Sequence, residues 1–363
     1  MKSISTTQYK IFIGNDSFVE LKNFISEGKY SSIFILVDEN SKKHCLKKLS
    51  IGNYKPSIIQ IKSGEKYKNI NTCQKIWLEL SKQNADRKSL LINLDGGVIT
   101  DMGGFAASTY KRGIDFINIP TTLLSQVDAS IGGKTGIDFI GYKNQIGTFA
   151  FPKAVFIIPA FLNTLSKRDF FSGFAEMIKH GLIADKKYWQ KLKTTTPSLL
   201  LKEKGVRDEV LSGIISHSIE IKNEIVLKDP YENGFRKALN FGHTIGHAIE
   251  SASLKTKKPL LHGEAIAIGM ICESYLSRKC CGLSSNEMDE IISFIISILN
   301  PTPINYKVKN LVAMMKQDKK NRESEINFTL LRSIGKAEIN NSCSEELIEE
   351  SIHYFIESVK ADK

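Results

Sequence analysis

Apolar and polar positions follow two different rhythms along this chain. In residues 1–158, short β-branched and apolar runs alternate with stretches of helical period, the pattern of an α/β domain. The run SSIFILVDEN reads as a buried strand ending in acids, and SLLINLDGG as a strand running into glycines. IDFINIPTTLL reads as a third strand, stopped by Pro120. From about Phe161, apolar residues recur with the period of core-facing helices, as in 169–183, 236–251 and 263–277. EINFTLLRSIGKAEI predicts a late hairpin. The expectation is an α/β domain over 1–158 followed by a mostly α-helical domain over 159–363, divided within VFIIPAFLNTL.

Composition adds exclusions. The 363 residues, 42% hydrophobic and 25% charged, suit two globular cores. No apolar run approaches the ~20 residues of a membrane span. The start, MKSISTTQYKIFIG, lacks the apolar core of a signal peptide, so a cytoplasmic protein is expected. The net charge of +11 raises the question of nucleic acid. Yet the lysines are scattered (KKHCLKKLS, KKYWQKLK, KTKKP), with no helix-turn-helix signal or zinc-finger spacing. They read as a solvated surface, a few of them left to bind anions. The six cysteines show no CxxC and are expected to be reduced.

Candidate chemistry in the first domain begins at NLDGGVITDMGGFAAS. Its glycines lie where a strand turns into a helix, so a pyrophosphate can approach the backbone amides and the positive helix end. The spacing is not GxGxxG, so no standard dinucleotide fingerprint is established. Asp38, at a strand end, is placed to accept hydrogen bonds from a ribose diol, although a plain loop acid reads the same way. VDASIGGKTGIDFIGYKNQIG reads as a Gly-rich loop holding Asp128, Lys134, Lys143 and Asn144. Such a loop costs conformational entropy and buries little, which favours a functional explanation. Lys134 in GGKT lacks the rest of a phosphate loop.

In the second domain, SGFAEMIKHGLI places Glu176 and Lys179 three apart among apolar neighbours, so at least one charge must approach a core or cleft. Arg236, Asn240, His243 and His247 form a polar stripe on an otherwise apolar helix pattern. LLHGEAIAIGM puts His262 at a helix start, and Glu264 in its first turn complements the helix dipole. One glutamate and two or three histidines on three helices suit a catalytic Zn²⁺ with an open position. Spacing alone does not choose between His243 with His247 and His243 with His262.

Taken together, DGGVITDMGGFAASTYKRGIDFINIPTTLLSQVDASIGGKTG, KNQIG, FLNTLSKRDFFSGFAEMIKHGLI, RKALNFGHTIGHAIES, LHGEAIAIGM and DKK resemble the 3-dehydroquinate synthase family of sugar phosphate cyclases, over about residues 38–320 and in the family's order. The resemblance implies an α/β NAD-binding domain followed by a helical metal-binding domain. It also implies conversion of 3-deoxy-D-arabino-heptulosonate 7-phosphate to 3-dehydroquinate and phosphate, with recycled NAD and Zn²⁺ or Co²⁺, in a homodimer. By position it implies metal ligands at Glu176, His243 and His262, with His247 left to the substrate phosphate and proton transfer. The implied NAD contacts are Asp38, Asn40, Glu65, Lys68, Gly96, Gly97, Val98, Asp101, Thr121, Thr122, Lys134, Lys143, Phe161 and Thr164. The implied substrate contacts are Asp128, Arg112, Asn144, Lys179, Lys222, Arg236 and Asn240, with Lys319 or Lys320, and Arg112 reaching from a second subunit.

Two positions depart from the pattern. Asp95 stands where the family usually has the first of three glycines, and Asp138 where asparagine is frequent after GGKT. Neighbouring activities predict other residues. Cyclases making an inosose or a valiolone use substrates without a carboxylate, whereas Arg236, Asn240 and His247 match the dehydroquinate branch. A polyol dehydrogenase of related fold would release NADH, and VDASIGGKT argues against it.

Overall fold

The computed structural model describes residues 2–140, 142–195, 204–254, 256–304, 306–316 and 326–361. They form two compact units: Met1–Phe170 with Asp208–Asn223, and Phe171–Arg207 with Glu224–Lys363. The second stretch of the first unit comes from one long helix, which a single boundary near residue 158 does not anticipate.

The first unit is built on a seven-stranded sheet of order β1-β2-β9-β6-β5-β3-β4. Its strands are β1 (Lys2–Ser5), β2 (Lys10–Ile13), β3 (Ile33–Val37), β4 (Ser57–Gln60), β5 (Leu90–Asp95), β6 (Asp115–Pro120) and β9 (Ala154–Ile157). Only the β1–β2 pairing in this sheet is antiparallel; the others run parallel. The connections are α1 (Ser17–Gly28), α2 (Glu39–His44), α3 (Ile70–Lys82) and α4 (Gly97–Thr109). Both faces are covered, which is why IFILV is buried at every position. Phe34 and Leu36 join the core on one face with Leu91, Ile99 and Met102, while Ile33, Ile35 and Val37 join Ile92, Leu94 and Ile117 on the other.

The segment read as a Gly-rich loop is instead a π-turn over Ser125–Ala129 followed by a hairpin, β7 (Lys134–Phe139) with β8 (Tyr142–Phe149). The alternation is hidden because Gly136 and Gly147 face each other across the ladder. A Cβ on Gly147 would lie 2.1 Å from the Thr135 carbonyl oxygen, so only glycine permits that approach. Buried Ile137 anchors the hairpin in the core shared with α4.

The second unit is mainly helical. In chain order its helices are α5 (Lys167–Ala184), α6 (Lys186–Thr194), α7 (Lys204–Lys228), α8 (His243–Ser253), α9 (His262–Cys280), α10 (Ser285–Leu299), α11 (Val308–Lys316) and α12 (Glu345–Ala361). The start of α5 and the middle of α7 belong to the first unit. The expected hairpin is β10 (Asn327–Ser333) with β11 (Lys336–Ser342). Helix α9 is apolar almost all round and packs against α8, α10, α12 and β10. The helix read over 236–251 is broken. A 3₁₀ turn covers Phe235–Asn240, and α8 begins only after Gly242 at φ 78°. That left-handed backbone favours glycine, and a Cβ there would meet Met270 Cγ at 2.6 Å. No helix among the described residues is long and apolar enough to cross a membrane.

Candidate functional site

In the second unit, the side chains with chemical potential converge on Glu176, which is fully buried on α5. One turn on, buried Lys179 forms an ion pair with Glu176 Oε2. On the other carboxylate oxygen, Oε1, two imidazoles arrive: His262 Nε2 at 3.3 Å and His243 Nε2 at 3.8 Å. The second nitrogen of each ring is occupied elsewhere. His243 Nδ1 lies 3.0 Å from the Phe241 carbonyl, and His262 Nδ1 lies 3.2 Å from Glu250 Oε2. A carbonyl or carboxylate on Nδ1 fixes the tautomer that presents Nε2 as a lone-pair donor, the arrangement of metal-ligating histidines. The ligand atoms of Glu176, His243 and His262 all lie within 4.8 Å of one another.

His247, Glu250 and His262 form another group of the same compactness. There the nitrogen of His262 nearest Glu250 is the one already held by that carboxylate, so Glu250 orients His262. The His247 ring stands beside both others, its centroid 5.0 Å from that of His243 and 5.8 Å from that of His262. Burial disfavours a charged His262, but Glu250 and Glu176 outweigh it and push the imidazole up to about 9. The two carboxylates thus make the surroundings of His262 favourable to positive charge.

The frame around this group depends on a second acid. Helix α8 starts at Gly242, which offers no side-chain cap. Glu273, fully buried on α9, accepts from Gly242 N at 2.6 Å and from Ile245 N at 3.2 Å. A carboxylate there satisfies orphan amides at the positive end of α8, and it ties the helix of His243 to the helix of His262. Glu264 also caps, accepting from Leu261 N at 2.7 Å. Glu250 and Glu273 escaped the sequence reading. Their signal was a charge inside an apolar helix pattern, and Glu250 lies one turn beyond His247 on the same face.

Arg236 and Asn240 sit on the 3₁₀ turn before α8. Arg236 is buried and donates from Nη1 to the Pro230 carbonyl, while Asp229 accepts from its backbone N at 3.0 Å. Asn240 Nδ2 donates to Glu232 Oε1 at 2.9 Å. Lys319 and Lys320 lie outside the described residues.

In the first unit, the expected dinucleotide residues gather at the C-terminal ends of parallel strands, where α/β sheets bind ligands. Asp38 follows β3 and caps α2, accepting from Ser41 N at 2.7 Å. Asn40 is exposed on the first turn of α2. Gly96, Gly97 and Val98 open α4, and Gly96 supplies no side-chain cap, so the first amides of α4 have none. A Cβ on Gly96 would meet Thr122 Cγ2 at 3.1 Å, and one on Gly97 would meet Ala129 Cβ at 3.1 Å. Thr121 and Thr122 follow β6. Phe161 is buried in the core, leaving only its backbone for a ligand, and Thr164 ends the same 3₁₀ turn.

A second cluster surrounds Lys68. Its buried ammonium donates to Asp101 Oδ2 and Asn144 Oδ1, both at 2.6 Å. Lys143 pairs with Glu65 at 3.1 Å, and Asp138 accepts from Asn144 N at 2.8 Å. Lys222 donates to Asp128 Oδ1 at 2.7 Å. Lys134 is exposed on β7, and Arg112 is exposed at φ 70°.

Comparison with known proteins gives the family. Residues 58–172 match the model described as 3-dehydroquinate synthase N-terminal, and 173–321 the one described as 3-dehydroquinate synthase C-terminal. The chain belongs to the 3-dehydroquinate synthase family. A family member from Parabacteroides distasonis is 42% identical over 355 residues, covering 97% of this chain and 99% of that protein. Another, from Dictyoglomus thermophilum, is 41% identical over 343 residues, covering 93% of each. Among solved structures, 2-epi-5-epi-valiolone synthase from Streptomyces hygroscopicus, with NAD⁺ and Zn²⁺ bound, superposes with a TM-score of 0.87 at 24% identity, covering 99% of each chain. A 2-deoxy-scyllo-inosose synthase superposes at 0.84 and 23% identity, covering 97% of this chain and 99% of that one. At those identities the two structures speak for the fold the family shares.

Proposed function

We propose that this chain converts 3-deoxy-D-arabino-heptulosonate 7-phosphate to 3-dehydroquinate and phosphate, as a homodimer. The observation that carries this reading is the pair of imidazole Nε2 atoms aimed at one buried carboxylate oxygen, in a chain of this family. Glu176, His243 and His262 would hold a Zn²⁺ or Co²⁺, which supplies a Lewis acid to substrate oxygens. The donor set fits, because one carboxylate and two oriented imidazoles leave a coordination position open. The strand ends of the first unit would hold NAD, which would supply a hydride acceptor recycled within each turnover.

The chain's own groups do the rest. Lys179 is held on Glu176 and adds positive charge for an anionic substrate, and buried Arg236 adds a guanidinium suited to a carboxylate or phosphate. His247 stands outside the ligand set and is available to move a proton at the leaving phosphate. Asp128 and Lys222 hold each other in a defined position, as do Lys68 and Asn144. Arg112 would serve the site of a second subunit.

The test is incubation with the heptulosonate phosphate, NAD and zinc, following phosphate, dehydroquinate and absorbance of NADH. Phosphate and dehydroquinate should appear together with no net NADH. Stoichiometric NADH would point to a dehydrogenase, and absence of both products overturns the reading.

A further inference from the structure

Away from the histidine group, three of the six cysteines gather at one place in the second unit. Cys280 is the last residue of α9, and Cys281 follows it. Cys343 follows β11, just before α12. Cys280 is exposed and Cys343 half-buried, and their sulfurs lie 3.6 Å apart although the residues are 63 positions apart in the chain. Two reduced thiols are thus in van der Waals contact. A disulfide needs about 2.0 Å between sulfurs, so about 1.5 Å remains to close.

The surroundings hold this pair in place and keep the third thiol out of it. Helix α9 packs on α12 and β10, and Leu331 N donates to Ser277 Oγ at 2.8 Å, three residues before Cys280. Cys281 Sγ donates instead to Glu338 Oε2 at 3.6 Å, a carboxylate that also accepts from Arg332 Nη1 at 3.2 Å. Burial and then Glu338 push the Cys281 thiol up to about 11. Cys45, Cys73 and Cys272 are buried and out of an oxidant's reach.

We propose that Cys280 and Cys343 form a reversible redox site, closed to a disulfide by a peroxide and reopened by a small dithiol. Cys280, the exposed sulfur, attacks one oxygen of the peroxide. The O–O bond breaks, the departing hydroxide takes the Cys280 proton and leaves as water, and Cys280 becomes a sulfenic acid. Cys343 then attacks the Cys280 sulfur. The S–O bond breaks, the S–S bond forms, and hydroxide leaves with the Cys343 proton as a second water. Two thiols lose two electrons in all, and one peroxide gains them. Burial and then Cys280 hold the Cys343 thiol above an ordinary thiol, which agrees with the exposed partner meeting the oxidant first.

The bond ties the end of α9 to the end of the late hairpin and closes a long loop, which restricts the unfolded chain. It lies about 27 Å along α9 from His262, at 1.5 Å per residue. It therefore acts on the stability of the frame and leaves the histidine group as it is.

The experiment treats the whole reduced protein with hydrogen peroxide, removes the excess, and counts and maps thiols in denaturant by peptide mass spectrometry. Thiols should fall from six to four per chain. The peptides of Cys280 and Cys343 should appear joined, two hydrogens lighter than the pair, and dithiothreitol should part them. The oxidised form should unfold at a temperature higher by roughly 5 °C or more. Cys281→Ser should form the same bond, whereas Cys280→Ser should keep every remaining thiol. Cys343→Ala serves in its place if Cys280→Ser does not fold. An undiminished thiol count, a bond between two chains, sulfinic acid at Cys280 without a joined peptide, or a bond lost in Cys281→Ser each overturns the proposal. An unchanged unfolding temperature in the joined form overturns its effect on the frame.

Discussion

The two chemically active regions are built in opposite ways. In the second unit, one carboxylate, Glu176, is shared by Lys179 and two imidazoles, and further buried acids, Glu250 and Glu273, hold the frame. The surroundings carry more acceptor capacity than fixed cations, as a cradle for a metal must. In the first unit, charge is matched locally: Lys68 with Asp101, Lys143 with Glu65, Lys222 with Asp128. There the candidate ligand surface is mostly backbone, at glycines where a Cβ would meet its nearest neighbour at 3.1 Å. Side chains shape the first of these regions, and strand ends with glycine backbone shape the second. Substitutions should therefore fail differently: by loss of metal in the second unit, by altered affinity or pH response in the first.

The largest effect should come from His243. His243→Ala removes a proposed ligand, so zinc per subunit should fall to near zero, and activity should drop by several kcal/mol of barrier. His247→Ala should keep its zinc and still lose about 10²–10⁴-fold in turnover, the value of one positioned proton-transfer group. Elemental analysis beside turnover separates the two. If His247→Ala loses zinc as fully as His243→Ala does, His247 is a ligand and the place of His262 in the set is reopened.

Next comes the residue behind the ligand. Glu250→Gln keeps the size but weakens the hold on His262 Nδ1, and zinc affinity should fall about 10–100-fold, read by competition with a chromophoric chelator. Glu264→Gln, which alters the helix cap at Leu261, should leave zinc affinity unchanged. Equal losses in both variants would mean that the helix start, and not the orientation of His262, controls the metal.

A third substitution tests the frame without touching a ligand. Glu273→Ala strips the acceptor from two buried amides at the start of α8, and leaving such donors unsatisfied costs about 1–3 kcal/mol each. Thermal and urea unfolding should show the loss. Zinc content in the fraction still folded should change less than in Glu250→Gln.

These residues also mark what was legible in the sequence. The strands before Asp38, Gly96 and Thr121 were readable because both sheet faces are covered, which leaves unbroken apolar runs. The ligand helices were readable from their period, and so was the late hairpin. The histidine roles were not, because spacing places His243 and His247 on one face and says nothing of which nitrogen a carbonyl holds. The break at Gly242 was invisible because helical period continues across it. Glu250 and Glu273 were missed because a lone acid in an apolar helix gains meaning only from a neighbouring helix. The β7–β8 hairpin was missed because paired glycines erase the alternation that marks strands.

The smallest expected effect belongs to one of the two family departures. Asp138 accepts from Asn144 N, and an asparagine carbonyl oxygen there can accept the same bond. Burial, and then the neighbouring charge of Glu65, raise the Asp138 carboxyl above its ordinary value. A carboxyl whose folded value is raised binds its proton more tightly when folded, so its ionisation opposes folding above the unfolded value. Asp138→Asn removes that opposition. The variant should be slightly more stable than the unsubstituted protein at pH 7, by about 0.5 kcal/mol or less. The gain should disappear as pH falls to about 4, where the unfolded carboxyl is protonated too. Turnover and the KM for the heptulosonate phosphate should stay within about twofold, since Lys68 still holds Asn144 from its other side. Urea unfolding at pH 7 and pH 4, with steady-state kinetics at pH 7, decides it. A loss of stability at pH 7, or a tenfold rise in KM, would mean that the negative charge of Asp138 itself holds Asn144 and its neighbouring lysines in place.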